Sequence, residues 1–171
     1  MPIIMKKEIA FSFSITEQEY KHFFDKHYST YRIIRYRPYY GTVMILYGLF
    51  SFVQEFHNEI LSILFIVFGL YFLLSKKVLI YKAMKAYRTN PKYGENISVK
   101  ITDESIEGHG EGFDLKQRWD RFIGYREFSE GFMIYAQRNL FYMVPKKVLD
   151  KEDIEFIKQI FEKNNLKGIK A

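Results

Sequence analysis

Two uninterrupted apolar runs, Gly41 to Val53 and Ile60 to Leu74, flank the segment Gln54-Glu55-Phe56-His57-Asn58-Glu59, and neither run contains a charged residue. A helix that is apolar all round must bury its whole circumference, in a large core or in lipid. Arg32, Arg35 and Arg37 precede the first run, and Lys76, Lys77, Lys82, Lys85 and Arg88 follow the second. This layout predicts a transmembrane helical hairpin. A buried hairpin in a soluble protein is the competing arrangement; the short runs permit it, but it leaves the missing polar faces unexplained.

A helix rises about 1.5 Å per residue, so a hydrocarbon core about 30 Å thick takes about 20 residues. Both runs reach that length through their flanks. The first is expected to start at Pro38, whose missing N–H costs nothing in a first turn, and to run through Tyr39 and Tyr40 to Phe56. The second takes Asn58 as N-cap and passes Leu74, with Lys76 and Lys77 snorkelling while Val78, Leu79, Ile80 and Tyr81 extend the apolar stripe. Tyr39, Tyr40, Phe56, Tyr71 and Tyr81 suit interfacial aromatic belts. Lys- and Arg-rich flanks stay cytoplasmic, and the connecting hexapeptide has neither residue. A multi-pass protein of the cell membrane with both termini in the cytoplasm is therefore expected. Met1 to Glu8 lacks the basic segment and long apolar core of a signal peptide, so insertion is expected to be internal and uncleaved. Gly48 and Gly69 belong to no full small-xxx-small pattern and read as ordinary membrane glycines.

The 171 residues leave room for one modest domain besides the hairpin. With 48% hydrophobic and 19% aromatic residues the chain is too apolar for disorder. The net charge of +6 invites an anionic partner, but five basic residues on each side of the apolar pair, from Lys21 to Arg37 and from Lys76 to Arg88, are explained by topology. No aromatic-basic nucleic-acid motif is present, and nucleic acid is not an expected partner. The absence of cysteine excludes disulfides, thiolate nucleophiles and cysteine-based zinc sites.

Lys7 to Ser14 alternates, with Ile9, Phe11 and Phe13 on one face of a strand. A helix follows from Thr16, with a Thr16/Glu19 capping box and an Ile15–Tyr20 staple. Its stripe of Tyr20, Phe23, Phe24, His27, Tyr28, Tyr31 and Ile34 leads into the arginine cluster. The second apolar helix is expected to reach Arg88 and to stop at Asn90-Pro91. Twofold alternation then takes over: Ile97, Val99 and Ile101; a turn at Thr102 to Ser105; a strand to Gly108; a flexible connection over Gly108-His109-Gly110-Glu111-Gly112; and Phe113, Leu115, Gln117 and Trp119 on another strand. Further strands fit Ile123 to Phe128, Phe132 to Ala136 and Leu140 to Val144. Asp150 caps a last helix whose Ile154, Ile157, Ile160 and Phe161 cover the sheet, with a Leu149–Ile154 staple. The expected fold is an α+β membrane protein: strand and amphipathic helix (1–37), transmembrane hairpin with a cytoplasmic extension (38–90), and a cytoplasmic antiparallel sheet or roll closed by a C-terminal helix (91–171).

The order of these elements, with Trp119-Asp120-Arg121-Phe122 mid-sheet and Phe141-Tyr142-Met143-Val144-Pro145-Lys146 some twenty-five residues later, resembles the YcxB-like bacterial membrane proteins over nearly the whole chain. The resemblance implies a pleckstrin-homology-like cytoplasmic roll on a two-helix anchor. It implies no catalytic or ligand-binding residues.

Catalytic chemistry finds little footing. His22 and His27 are five apart, off the three-or-four spacing of a helical zinc pair, and His57 and His109 are dispersed. There is no GxSxG, and the Gly108–Gly112 segment lacks both the GK[ST] ending and a following helix. Glu17, Glu19, Asp103, Glu104 and Asp120 are accounted for by caps and turns. Trp119 reads as a core residue. No cofactor or metal is expected. The candidate membrane-flanking residues are Arg32, Arg35, Arg37, Lys76 and Lys77, and Arg138, Lys146 and Lys147 form a candidate basic edge facing anionic headgroups. The expected role is non-enzymatic: an integral membrane protein, partnered by the bilayer, whose cytoplasmic domain binds a protein or the anionic membrane surface. The alternative is an oligomeric small transporter or a membrane-embedded enzyme accessory subunit, for which an ionisable group within a span is missing.

Overall fold

The computed structural model describes residues 8–54, 59–90, 94–111 and 113–169. They form an α+β protein with four α-helices and two antiparallel sheets. The chain divides into two compact units, Met1–Thr16 with Pro91–Lys170, and Glu17–Asn90. The helical unit is thus an insertion in the chain between the first strand and the second. The strand and helix grouped above as residues 1–37 fall in different units.

In the first unit, β1 (Glu8–Phe13), β2 (Ile97–Thr102), β3 (Ser105–Gly110) and β4 (Phe113–Arg118) form a sheet in that order. β1 pairs with β2 so that Ile9 faces Ile101, Phe11 faces Val99 and Phe13 faces Ile97. All six belong to or border one apolar core. A slip of one residue would turn every one of them outward, so the period-two pattern selects this register. The β2–β3 turn is held by Thr102, whose Oγ1 accepts from the backbone N–H of Glu104 (3.3 Å) and Ser105 (3.1 Å). The glycine-rich connection expected from Gly108 is instead strand as far as Gly110. Gly108 pairs with Val99 on one side and Leu115 on the other, and two neighbouring ladders outweigh the low strand preference of glycine.

Trp119 also departs from the expected strand. It opens a 3-10 turn, Trp119–Arg121, that carries the chain out of the first sheet. Its indole is buried, packs edge-on against Phe161 and donates from Nε1 to the carbonyl of Thr102 at 2.9 Å. The core role read from its apolar period therefore stands, while the local conformation differs.

β5 (Gly124–Glu127), β6 (Gly131–Gln137) and β7 (Leu140–Pro145) form the second sheet. Phe132, Met133, Ile134 and Tyr135 of β6 are all buried, as befits a central strand. Gly124 has φ +154°, and a Cβ there would strike the carbonyl oxygen of Lys167. That close approach lets the C-terminal segment pair with β5, through Tyr125 N–H to Lys167 O (3.1 Å) and Ile169 N–H to Tyr125 O (2.8 Å).

Helix α4 (Lys151–Lys163) covers the core. Asp150 and Asp153 cap it reciprocally, each carboxylate accepting from the other's backbone N–H. Its buried face is Phe156, Ile157, Ile160 and Phe161, with Ile154 half-buried. Asn165 at φ 52° ends the helix, and Leu166 N–H reaches back to Phe161 O at 2.8 Å.

Replacing the indole donor leaves the Thr102 carbonyl without its partner. Trp119→Phe is expected to destabilise the β unit by about 1–3 kcal/mol, measured by denaturant titration of the full chain with far-UV circular dichroism.

Candidate functional site

The helical unit comprises α1 (Glu17–Thr30), α2 (Arg32–Val53) and α3 (Glu59–Thr89). The amphipathic helix does not continue to Ile34 as its stripe suggested. Ser29 and Thr30 donate their hydroxyls to the carbonyls of Asp25 and His27, a local alternative to helix propagation, and Tyr31 is extended. Nor does the next helix begin at Pro38. It begins at Arg32, and Pro38 lies inside it, where its ring removes one i to i−4 bond. The expected end at Phe56 and the Asn58 cap lie outside the described residues.

α2 and α3 pack antiparallel along small residues. The buried positions of α2 are Gly41, Gly48 and Ser51, and those of α3 are Ser62, Gly69, Ser75 and Met84. A methyl group built on Gly41 would lie 2.6 Å from the carbonyl oxygen of Gly69, and one on Gly69 would lie 2.7 Å from that of Gly41. One on Gly48 would lie 2.8 Å from the carbonyl oxygen of Ser62. Backbone meets backbone at all three, so these glycines are requirements of the packing. The ordinary-glycine reading is corrected. The signal was a seven-residue spacing, Gly41 to Gly48 and Ser62 to Gly69, which a search for small residues four apart passes over.

The large apolar side chains of the same helices point outward. Val43, Leu46, Leu49 and Phe50 of α2, and Ile63, Val67, Phe68 and Leu74 of α3, are exposed. α3 is the one helix among the described residues that is long and apolar enough to cross a membrane, and only 11% of its most apolar stretch is buried. α2 devotes its first two turns to Arg32, Arg35 and Arg37, and its charge-free part, Gly41–Val53, is correspondingly shorter.

The candidate flanking residues are engaged unequally. Lys76 pairs with Asp25 (2.7 Å) and donates to Ser29 Oγ (2.8 Å), and Arg35 Nε donates to Ser29 O (3.1 Å). α1, the start of α2 and the middle of α3 thus converge on Asp25 and Ser29. Arg32 and Lys77 are exposed, and Arg37 is half-buried. At the other end of the unit Arg88 donates to Glu17 Oε1 from two nitrogens, and this bond raises the arginine pKa further.

The expected basic edge of the β unit is largely occupied. Lys146 Nζ binds Glu127 Oε1 (2.7 Å) and Phe128 O (2.8 Å) and stands over the ring of Phe132. Lys147 Nζ donates to Ser14 O at 3.1 Å. Arg138 is exposed in the β6–β7 turn. Burial alone would raise the Glu127 pKa, but hydrogen bonds from Lys146 and Lys158 outweigh it and hold the carboxyl below the ordinary glutamate range.

On the outer face of the four-stranded sheet, charges of alternating sign cross the strands: Glu8, Lys100, Glu107 and Lys116. Glu8–Lys100 and Glu107–Lys116 are each 2.7 Å apart, and Lys100 stands opposite Glu107 in register. The hydrogen bond from Lys116 is the main cause of a lowered Glu107 pKa. His109 and Asp114 pair beside this ladder at 2.8 Å. Among the described residues no three histidine, aspartate or glutamate side chains converge as metal ligands. His22 and His27 lie on α1, with the His27 ring buried against Tyr28 and Tyr31, and His57 lies outside the described residues.

Residues 101–161 match the family model described as YcxB-like protein. This supports the family-level resemblance drawn from Trp119–Phe122 and Phe141–Lys146, both of which lie within the matched region. The match runs from the end of β2 into α4 and does not include β1 or the helical unit. No curated protein and no solved structure matches the chain.

Two outcomes follow from this geometry. Gly69→Leu forces a branched side chain onto the Gly41 backbone and is expected to destabilise the helix pair by about 1–3 kcal/mol or more, seen as an earlier loss of helical circular dichroism in an SDS titration. Because the Glu127 carboxyl titrates lower in the folded chain than in the unfolded one, its ionisation favours folding at neutral pH, and that contribution is lost as pH falls through the lowered value. Urea titrations followed by Trp119 fluorescence should therefore show a smaller decline in stability from pH 7 to pH 3 for Glu127→Gln than for the parent chain.

Proposed function

We propose that this chain is a multi-pass integral membrane protein without catalytic activity, anchored by α2 and α3 with both termini in the cytoplasm, whose β unit has a pleckstrin-homology-like fold and binds a protein partner. The observation that carries the reading is the inverted packing of the helix pair. A water-exposed pair would bury leucine and phenylalanine; this one buries glycine and serine and turns its large apolar side chains outward. An apolar surface of that extent calls for lipid around it. The basic residues before α2's apolar stretch and after α3's favour the cytoplasmic side for both.

The β unit's sheets of four and three strands and its C-terminal helix suit the pleckstrin-homology-like arrangement. Its charge pairing favours a protein over an anionic membrane as its partner. The ladder Glu8, Lys100, Glu107 and Lys116 is balanced, and Lys146 is held by Glu127. A shallow cavity of about 280 Å³ on the same sheet, bordered by Ala10, Phe11, Val99, Ser12, Ser98, Lys100 and His109, offers a largely apolar seat with a polar rim for a complementary surface.

The chain contains no cysteine, so single introduced cysteines report topology. In intact cells a membrane-impermeant maleimide should label Asn58→Cys and leave Asn139→Cys unlabelled, and the chain should stay with membranes through an alkaline carbonate wash. Reversed labelling or release by carbonate would overturn the anchor. A photo-crosslinker placed at Ser12 should yield a protein adduct; lipid adducts alone would move the role to the membrane surface.

A further inference from the structure

The helical unit holds a groove of about 750 Å³ between α1 and α3. α3 lines it with Lys77, Ile80, Tyr81, Met84 and Arg88, a stripe at spacings of three and four that forms one helix face. Lys21 closes it from α1. Its floor is apolar, with Met84 buried and Ile80 half-buried. Its rim is cationic. Arg88 is neutralised by Glu17 within the groove, whereas Lys21 and Lys77 make no hydrogen bond or ion pair among the described residues. Two uncompensated ammonium groups therefore border an apolar floor.

The groove is also continuous with the outward apolar surface of α3. Leu74, Val78 and Tyr81, at spacings of four and three, are exposed and lead from the charge-free run to the groove. An occupant must bring an anionic group to Lys21 and Lys77 and apolar surface to the exposed Tyr81, Val78 and Leu74. A free phosphate supplies only the first, and a neutral lipid only the second. We infer that the α1–α3 groove binds one anionic phospholipid, its phosphate held by Lys21 and Lys77 over the floor of Ile80 and Met84 and its acyl chains running from Tyr81 down Val78 and Leu74 towards the charge-free run. This rests on the membrane reading above and adds to it a lipid-selective site on the helical unit.

The test uses the full chain reconstituted in mixed phosphatidylcholine and phosphatidylglycerol nanodiscs, released into mild detergent, with retained lipid counted by native mass spectrometry. The parent chain should retain one phosphatidylglycerol in preference to phosphatidylcholine. The Lys21→Glu/Lys77→Glu variant should lose that preference by at least about thirtyfold, the weight of the two near-surface lysines before the added carboxylates repel the phosphate. Lys82→Glu/Lys85→Glu makes the same change of net charge on α3 outside the groove lining and should retain the lipid. Equal loss in both variants, equal retention of the two lipids by the parent, or displacement of the lipid by excess inorganic phosphate would overturn the inference. Carbonate washing of the same variants separates the two failures: a chain that stays in the membrane without lipid preference sinks the groove alone, and a chain that washes off sinks the membrane reading with it.

Discussion

The pairing of β1 with β2 is the constraint on which the architecture depends. Phe13 and Ile97 face one another in one antiparallel ladder, although the entire helical unit lies between them in the chain. An insertion of that size is tolerated when its own ends come together, because the host then meets a short connection rather than a long open loop. The helical unit meets this condition internally. Glu17 in its first turn is hydrogen-bonded to Arg88 in its last, and Tyr20 packs on Tyr87 with ring centroids 4.9 Å apart. Asp25, Ser29, Lys76 and Arg35 repeat the closure nearer α2.

Each unit solves burial in its own way. The β unit has a large-side-chain apolar core, with Trp119, Phe132, Phe161 and Ile101 fully enclosed and a capped helix laid over them. The α2–α3 pair is held by close backbone approach along Gly41, Gly48 and Gly69. Contact at backbone distance depends on shape, and small residues are what bring the two helices near enough.

Much of this was legible in the sequence, and the failures have physical causes. Period-two alternation located β1, β2, β5, β6 and β7, and Asp150 announced α4, because those signals are local. Asn90-Pro91 marked the return to the β unit for the same reason. The start of α2 was misplaced because the apolar stripe runs unbroken through Tyr31 and Ile34, while the break is made by Ser29 and Thr30 bonding back to the helix they end. Gly108 to Gly110 looked flexible because composition does not reveal that both flanking strands would pair with it. The glycine seam was overlooked because its spacing is seven. Among the site residues, Lys77 is exposed. Lys76 and Lys146 were drawn into ion pairs with Asp25 and Glu127, partners 51 and 19 positions away in the numbering, whose proximity only the fold creates.

The chain order also sets a timetable. During synthesis β1 emerges first, yet its partner β2 follows only after the whole helical insertion, and at about 5–20 residues per second that delay is on the order of several seconds. Through that interval Ile9, Phe11 and Phe13 have no strand to cover them, while α2 and α3 are already free to pack on one another. The helices are therefore made before the sheet can close, and the β unit completes its first ladder as a late step. β1 is left as the segment that a chaperone, or a misdirected edge from another chain, has longest to find.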